Sequence, residues 1–265
     1  MHNIAFEIGG LTIYWYGIFA ALGFLIAFWT AARRAPRDGI SSESIVDLAP
    51  WLIAGAIVGA RLYYVIYYWN EEFAGKPLSE ILMIRRSGLV WYGGLIGASL
   101  ATILFARRKK LALWKIADII APSIALGHVF GRIGCLMTGC CYGKPTDVPW
   151  AIHFPHDHWT KGVGVHPTQI YESFLNLLLF LGLAWLHRRK RFDGQVFAAY
   201  LIGYAVLRAF VEMFRGDYAV HYLANLLTPA QLVSLLILIT GLLLFWRLSS
   251  SKPGPSVAAP RRQSH

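Results

Sequence analysis

The segment 131–145, GRIGCLMTGCCYGKP, brings together residue types that could do chemistry. It holds one arginine, all three cysteines of the protein and four glycines. A guanidinium group binds phosphate through two parallel charge-assisted hydrogen bonds, whereas thiols bind soft metal ions or form disulfides. The segment is therefore a candidate lipid-phosphate site, metal site or redox pair.

A second segment, GYAVLRAFVEMFR at 203–215, repeats the combination of glycine and arginine. Tyr204, Arg208, Glu212 and Arg215 follow one another at spacings of four, four and three residues, so they share one face of a helix. Glycines beside an arginine, as in GRIG, let backbone N–H groups approach the same phosphate. Both segments are thus candidate phosphate-binding sites.

The elements that must position these residues are membrane spans. The chain is 56% hydrophobic and its mean hydropathy is +0.49, values typical of an integral membrane protein. A spanning helix needs about 20 predominantly apolar residues. Seven segments are predicted to span: 12–32, 45–69, 89–106, 113–133, 169–187, 194–214 and 229–247.

The basic residues indicate how these spans are oriented. Most of the 25 lysines and arginines lie in clusters that follow the first, third, fifth and seventh spans. Short cytoplasmic loops are enriched in lysine and arginine. The pattern therefore predicts an all-α integral membrane protein of about seven transmembrane helices, with the N-terminus outside and the C-terminus in the cytoplasm.

The predicted organisation is one seven-helix transmembrane domain over residues 1–250, with a small outer-side loop region at 134–168. Residues 251–265 are rich in serine and proline and are predicted to be a disordered cytoplasmic tail. A net charge of +11 in a soluble protein would indicate nucleic-acid binding. Because the charge here lies in short clusters between apolar spans, no nucleic-acid partner is expected.

Three arginines, Arg61, Arg132 and Arg208, lie within predicted spans or at their ends. An unpaired charge there costs about 2.5–3.5 kcal/mol on the mildest insertion scale. Arginines in such positions are candidate functional residues. The alternatives are snorkelling to the interface and pairing with Glu172 or Glu212.

The three cysteines are open to several interpretations. In an oxidising compartment Cys135 could pair with Cys140 or Cys141, whereas a bond between the adjacent Cys140 and Cys141 would be strained. Zinc binding together with the histidines of HFPHDHW, residues 153–159, is a second interpretation, although the spacing matches no common zinc motif. Packing as small polarisable side chains is a third. No metal site and no cofactor are predicted.

Six short motifs, taken together, resemble the prolipoprotein diacylglyceryl transferase family of bacterial membrane enzymes. They are WYG at 15–17, GARLYY at 59–64, GGLIG at 93–97, GRIG at 131–134, HPTQIYE at 166–172 and GYAVLRAFVEMFR at 203–215. They occur in the family's order, and the predicted spans and outside N-terminus match that family. Each motif alone is weak, whereas the ordered set is specific.

The resemblance implies transfer of diacylglyceryl from phosphatidylglycerol to the lipobox cysteine thiol of prolipoproteins, with release of glycerol phosphate. The expected protein is a monomer in the bacterial cytoplasmic (inner) membrane, and its partners are phosphatidylglycerol and prolipoprotein signal peptides. The catalytic residues implied are Arg132, Arg208 and Glu212. The substrate-binding residues implied are Tyr16, Arg61, Arg132, His166, Gln169, Tyr171, Glu172, Tyr204 and Arg208.

The chain departs from the family pattern at two places. Tyr92 precedes GGLIG where the family usually has a histidine that is a proposed base. A phenol, whose ordinary pKa is near 10, is a poor base. We therefore expect Tyr92 to act as a catalytic hydrogen-bond donor from the cavity wall, with His128 as an alternative base. After GRIG, Cys135, Thr138 and Cys140 replace the family's asparagines and glutamate.

Two other functions are also open. A membrane protein that binds or moves lipid or anions without covalent chemistry could keep the arginines and lack the base, and Tyr92 favours this alternative. A channel or transporter would show repeated halves or broken helices in matching positions, and the sequence shows neither. Arg132, Arg208, Glu212 and HPTQIYE together favour the transferase.

Overall fold

The structure, a computed structural model, describes residues 4–77, 81, 88–216 and 228–250, so the predicted tail lies outside the described residues. Seven α-helices lie in these residues: α1 Trp15–Arg34, α2 Ser42–Tyr67, α3 Trp91–Arg108, α4 Leu113–Thr138, α5 Thr168–His187, α6 Gln195–Glu212 and α7 Pro229–Ser249. Two antiparallel hairpins accompany them: β1 Ile4–Ile8 with β2 Leu11–Tyr14, and β3 Ile152–His153 with β4 Gly164–Val165.

Each predicted span corresponds to one of these helices, with boundaries shifted by a few residues. The first helix begins later than predicted because Leu11–Tyr14 pair with the preceding strand. Within the described residues, six helices are long and apolar enough to cross a membrane. The other helix, α3, has 18 residues, contains three glycines and a serine, and ends on two arginines. The chain is thus an all-α integral membrane protein, while the seventh crossing and the orientation remain predictions.

Residues 25–123 form one of two compact units, and in it α2 packs against α3 through glycines. A Cβ atom at Gly59 would overlap the backbone of Gly93 and Gly97, and a Cβ atom at Gly97 would overlap Gly55. Small residues let helix backbones approach one another closely in a membrane. Helix packing therefore explains Gly59 of the GARLYY motif and Gly93 and Gly97 of the GGLIG motif.

The core of the same unit lies where α2, α3 and α4 contribute large apolar side chains. Its fully buried members include Ile45 and Leu48 of α2, Phe105 of α3, and Ile116 of α4. Arg34 reaches this core and donates a hydrogen bond from Nη1 to the Ile119 carbonyl at 2.6 Å. Since a buried polar group is stable only when it is hydrogen-bonded, this contact fixes the end of α1 within the unit.

The other unit comprises residues 1–24 and 124–265, of which we describe the parts given above. In it α6 packs against both α5 and α7. Gly134 of α4 packs on Tyr16 of α1, because a Cβ atom at Gly134 would lie 3.1 Å from Tyr16 Cδ2. Both residues belong to family motifs, and here they bring α1 and α4 together.

The loop region predicted at 134–168 begins inside α4. The apolar residues after GRIG continue the helix to Thr138, so the predicted boundary was too early. The segment that follows contains the short β3–β4 hairpin, and α5 then begins at Thr168. The chain therefore returns from α4 to α5 through a folded connection.

Candidate active site

Arg132 and Glu172 form an ion pair between α4 and α5. The Nη2 atom of Arg132 lies 2.9 Å from Oε1 of Glu172. Glu172 is 2% exposed, whereas the side chain of Arg132 is 20% exposed. A buried carboxylate is stable in its charged form when an opposite charge compensates it. The pairing alternative for Arg132 is thus confirmed, and its side chain remains partly exposed.

Arg208 and Glu212 form a second ion pair, one turn apart on α6. Nη1 of Arg208 lies 2.7 Å from Oε2 of Glu212, and both residues are buried. The other carboxylate oxygen accepts a hydrogen bond from Oγ1 of Thr228 at 2.9 Å. Because Thr228 is the N-cap residue of α7, this contact fixes Glu212, and through it Arg208, against the start of that helix.

Arg215 lies just beyond α6 and belongs to the same group of charges. Tyr204 interacts electrostatically with Glu172, Arg208, Arg132 and Arg215, and Arg132 also interacts with Arg215. We call Arg132, Arg208 and Arg215 the arginine cluster. With the two glutamates they carry one more positive than negative charge, which favours an anion such as a phosphate group.

His128 lies beside the arginine cluster on α4. Its ring centroid is 5.3 Å from that of Tyr204, and it interacts with Asn176, which is fully buried. Asn176 in turn donates a hydrogen bond to the carbonyl of Glu172 at 2.8 Å. The histidine is therefore connected to the ion pair of α5, and its role as an alternative base remains a prediction.

Two residues of the HPTQIYE motif hold the loop that follows α4. Nε2 of Gln169 donates to the Cys140 carbonyl at 2.7 Å, and Oγ1 of Thr168 donates to the Cys141 carbonyl at 2.6 Å. Both side chains are 1% exposed. Gln169 therefore positions the loop, and direct contact of Gln169 with substrate remains a prediction.

Gly143 connects this loop to the end of α6. Its N–H donates to the His166 carbonyl at 3.0 Å, and the next N–H, that of Lys144, donates to the Phe214 carbonyl at 2.7 Å. Gly143 also pairs with Arg215 as an isolated bridge. A Cβ atom at Gly143 would lie 2.6 Å from the His166 carbonyl oxygen, so the close approach requires glycine. The loop and Arg215 are thereby fixed together.

His166 and Tyr171, the predicted lip of the cavity, contact each other. Nδ1 of His166 lies 3.2 Å from the hydroxyl of Tyr171, which accepts a hydrogen bond from Nε1 of Trp150 at 2.7 Å. Both rings also contact Phe214 edge-on. These side chains form one aromatic group beside the loop, and their contact with substrate remains a prediction.

Cys135, Cys140 and Cys141 are free thiols whose sulfur atoms all lie within 4.8 Å of one another. We call them the cysteine cluster. Hydrogen bonds from the other two thiols, followed by the positive charges of Arg215 and Arg132, hold the pKa of the Cys141 thiol below its ordinary value. Since all three cysteines are free, neither predicted disulfide is formed in this structure. Cys141 also interacts electrostatically with two residues of the arginine cluster, Arg215 and Arg132.

A cavity of about 430 Å³ opens beside Cys140 and Cys141. Its other lining residues are Thr138, Gly139, Tyr142, Phe154, Pro155, Asp157, His158 and Trp159. Nε2 of His158 lies 2.9 Å from the Gly139 carbonyl, and Nδ1 lies 3.0 Å from Oγ1 of Thr160. Within the residues that the structure describes, the group close enough to hold a metal ion consists of the three cysteines and includes no histidine.

The remaining predicted site residues fall in both units. Tyr16 interacts electrostatically with Cys135 and Arg132, so it belongs with the clusters described above. Arg61 lies in the unit 25–123, where Nε donates to the Ile81 carbonyl at 2.8 Å and gives the arginine a structural role. Tyr92 belongs to the same unit and is 53% exposed. Substrate contact by these residues remains a prediction.

Two residues of this site, Arg215 and Thr228, were not among the site residues predicted from the sequence. The spacing predicted Arg215 on the helix face of Arg208 and Glu212, but α6 ends at Glu212 and Arg215 lies beyond it. Thr228 begins a capping box with Gln231, and this pattern predicts the start of a helix. Its contact with Glu212 crosses 16 positions of sequence, a distance over which no local pattern operates.

Comparison with known proteins identifies the family. The family model described as prolipoprotein diacylglyceryl transferase matches residues 3–247. A protein of Finegoldia magna named phosphatidylglycerol–prolipoprotein diacylglyceryl transferase is 41% identical, covering 92% of this chain and 94% of its own length. Proteins with the same name from Synechococcus elongatus and Geobacillus kaustophilus are each 39% identical, covering 96% and 92% of this chain and 90% and 92% of their own lengths. The chain belongs to the prolipoprotein diacylglyceryl transferase family.

Proposed function

We propose that this protein transfers diacylglyceryl from phosphatidylglycerol to the lipobox cysteine thiol of prolipoproteins. The names of its relatives give phosphatidylglycerol as lipid and prolipoprotein as acceptor. The observation that supports the proposal best is the arginine cluster of this multi-pass membrane protein, in which Arg208 and Arg215 are buried and Arg132 is partly buried. A phosphodiester head group is the anion that such guanidinium groups bind best.

Arg132 and Arg208 hold the phosphate of the lipid. Arg132 uses Nη2 for Glu172, and a guanidinium group has five N–H donors, so donors remain for a phosphate oxygen. Arg208 is held by Glu212, which is itself fixed by Thr228. The carboxylates keep both guanidinium groups oriented before the lipid arrives, and this preorganisation makes the electrostatic stabilisation effective.

In the reaction, the acceptor sulfur attacks the glyceryl carbon that bears the phosphate. The new C–S bond replaces the C–O bond, and glycerol phosphate leaves with the electron pair and an additional negative charge. The arginine cluster stabilises that charge as it develops. Tyr16 and Tyr204 line the same region.

The acceptor enters from the side of the folded connection between α4 and α5. The outer lip of the substrate cavity is formed by His166, Gln169 and Tyr171. The lipobox of a prolipoprotein signal peptide passes along these residues. The proposed location is the bacterial cytoplasmic (inner) membrane, with the connection on the outer side. The proposed functional form is a monomer.

The experiment is incubation of the purified protein with phosphatidylglycerol and a peptide that carries a lipobox cysteine. Mass spectrometry should detect a peptide with thioether-linked diacylglycerol. A peptide with serine in place of that cysteine is the matched control and should remain unmodified. If the protein binds phosphatidylglycerol but the cysteine peptide gains no lipid, the proposal is wrong.

A second candidate function is lipid binding or movement without covalent chemistry. The observation that favours it is Tyr92, which occupies the position where the family usually has the proposed base. The same incubation separates the two functions, because a lipid-binding protein would retain labelled phosphatidylglycerol and leave the peptide unchanged. Formation of the thioether product would exclude the second function.

A further inference from the structure

The cysteine cluster has the geometry of a metal site with three sulfur ligands. Zinc binds thiolate sulfur at about 2.3 Å, so three sulfurs around one tetrahedral zinc lie about 3.8 Å apart. The sulfur atoms of Cys135, Cys140 and Cys141 all lie within 4.8 Å of one another, which is close to that spacing. We infer that these three residues bind one Zn²⁺ ion and leave its fourth coordination position open for the acceptor thiol.

The backbone holds the three thiols together before any ion binds. Cys135 lies in the last turn of α4, and its carbonyl accepts a hydrogen bond from the N–H of Cys140 at 3.1 Å. The carbonyls of Cys140 and Cys141 are fixed by the buried side chains of Gln169 and Thr168. Sites whose ligands are held by such outer contacts lose little freedom when the metal binds.

Cys141 has an unusual backbone conformation that contributes to this arrangement. Its φ angle is +61°, in the left-handed region that residues with a side chain seldom adopt. A conformation of this kind persists where the surrounding structure imposes it, and such positions concentrate at functional sites. Here it accompanies the approach of the adjacent Cys140 and Cys141 side chains to the same neighbour, Cys135.

The surrounding charges suit an anionic metal complex. Three thiolates and one Zn²⁺ together carry a single negative charge. The guanidinium groups of Arg215 and Arg132 interact electrostatically with Cys141, so they compensate this charge. Without an ion, three thiolates would repel one another, whereas the bound ion satisfies all three sulfurs at once.

The fourth coordination position opens towards the cavity. Cys140 is exposed, and both Cys140 and Cys141 line the cavity of about 430 Å³. The histidine of the cavity wall, His158, already has partners at both ring nitrogens, Gly139 and Thr160. A zinc site with three protein ligands and an open position is the arrangement found in catalytic zinc centres.

The open position gives the reaction a means of forming the thiolate, and this role depends on the proposed transferase function. When the acceptor sulfur binds Zn²⁺, its proton is released to water, because a coordinating thiol is deprotonated. The sulfur electron pair then forms the C–S bond to the glyceryl carbon, and the C–O electron pair leaves with glycerol phosphate. The thioether product is a weaker ligand and departs from the ion. Deprotonation therefore needs no imidazole at position 92, where the chain has Tyr92.

Metal content provides the first test. The full-length protein is purified in detergent, reduced, incubated with Zn²⁺ and freed of excess ion, and its zinc and copper are measured by elemental mass spectrometry. We expect one zinc per chain, and at least a ten-fold loss in Cys140→Ser and Cys141→Ser. The control His156→Ala, in the nearby loop, should retain one zinc. Zinc below a tenth of an equivalent in the wild-type protein, copper instead of zinc, or unchanged zinc in both cysteine variants would overturn the site.

Cobalt spectroscopy tests the open position without any lipid present. The protein loaded with Co²⁺ should show thiolate-to-cobalt charge-transfer absorption, and addition of the lipobox peptide should shift its visible bands. The serine peptide should cause no shift. A cobalt spectrum that the cysteine peptide leaves unchanged would overturn the role of the acceptor as fourth ligand. If the shift occurs but transfer to the peptide fails in the complete assay, the transferase function fails and the metal site stands.

Discussion

The contact between α2 and α3 and the arginine cluster both contain residues of the family motifs, but they use them in opposite ways. Between the two helices, glycines such as Gly59 and Gly97 remove side chains, so that the backbones touch. In the arginine cluster, long charged side chains fill the space. The charge of Arg132 on α4 is compensated by that of Glu172 on α5. The first region is held by close packing, whereas the second depends on paired charge.

The difference shows that motif residues have one of two physical roles, close helix packing or charge pairing. The spacing of residues in a motif does not by itself distinguish these roles. In the helix contact an added atom is harmful, since no space is left for it. In the arginine cluster a removed partner is harmful, since the remaining charge stays buried without compensation. Substitutions designed on this distinction test whether the two regions are as different as their contacts indicate.

The largest expected effect is that of Glu172→Ala on stability. The change leaves the guanidinium group of Arg132 without its carboxylate and should lower the free energy of unfolding by about 3–5 kcal/mol. The double variant Arg132→Ala/Glu172→Ala should be more stable than Glu172→Ala alone, because both charges are then absent. Denaturant unfolding in detergent micelles measures both values.

The exposed pair of Lys109 and Asp47, whose atoms are 3.1 Å apart, provides the control for this prediction. Both side chains are about half exposed, and an exposed ion pair contributes about 0–1 kcal/mol. Asp47→Ala should therefore change stability little. If Asp47→Ala and Glu172→Ala destabilise the protein equally, burial is not what distinguishes the site.

The next effect concerns the reaction rate. Arg132→Ala and Arg208→Ala should each slow transfer roughly a hundred-fold or more, because each removes a donor that stabilises the leaving phosphate. Lysine at either position should restore part of the rate, since it keeps the charge but loses the two-pronged geometry. Arg189→Ala, which removes an arginine stacked on Trp185, is the control and should retain full activity. Near-full transfer by either alanine variant of the cluster would exclude its phosphate role.

Much of the fold follows from local patterns in the sequence. Apolar runs of about 20 residues predicted the positions of all seven described helices, because such runs have few other stable structures in a membrane. The spacing of Arg208 and Glu212 placed them on one helix face, and the structure pairs them at 2.7 Å. Pairing of Arg132 with Glu172 was one of the alternatives, since two buried charges of opposite sign attract.

Other contacts depend on tertiary structure and leave no local pattern. The hydrogen bond from Thr228 to Glu212 forms only when α7 begins beside the end of α6. The cysteine cluster needs the loop after α4 to turn back, which Thr168 achieves from α5. The first hairpin was also missed, since its apolar second strand continues directly into α1 and resembles part of a span.

Tyr92 tests whether the helix-contact region also contributes to the chemistry. It stands on α3 immediately before Gly93 and is 53% exposed. If its hydroxyl donates a hydrogen bond to the charged phosphate, Tyr92→Phe should raise the activation free energy of transfer by roughly 1.5–3 kcal/mol and so slow the reaction. Tyr92→His should be tolerated, and Tyr67→Phe, an exposed phenol on α2, is the control. If Tyr92→Phe leaves the transfer rate unchanged, the contact between α2 and α3 contributes to packing and not to the chemistry.

The smallest expected effect is a difference in stability between alanine variants of two adjacent glycines of one helix. The two variants are closely matched controls for each other. A Cβ atom at Gly93 would overlap the Gly59 carbonyl and lie 3.0 Å from Cα of Ala60, so alanine there forces α2 and α3 apart. A Cβ atom at Gly94 would lie 3.5 Å from the Ala56 carbonyl oxygen and 3.7 Å from Cβ of Ala60, which are ordinary contacts. Overpacking of this kind costs about 1–3 kcal/mol.

We therefore expect Gly93→Ala to lower the free energy of unfolding by about 1–3 kcal/mol. Gly94→Ala should be neutral or stabilising by up to about 1 kcal/mol, because alanine favours the helix. Neither change removes a charged group, so the transfer rate per folded molecule should stay within about two-fold of the wild-type rate, a free-energy difference of about 0.4 kcal/mol. Thermal unfolding in detergent and the transfer assay measure the two quantities separately. Equal stabilities for the two variants would mean that the helices do not approach as closely as their glycines indicate, and the contrast with the arginine cluster would then rest on charge alone.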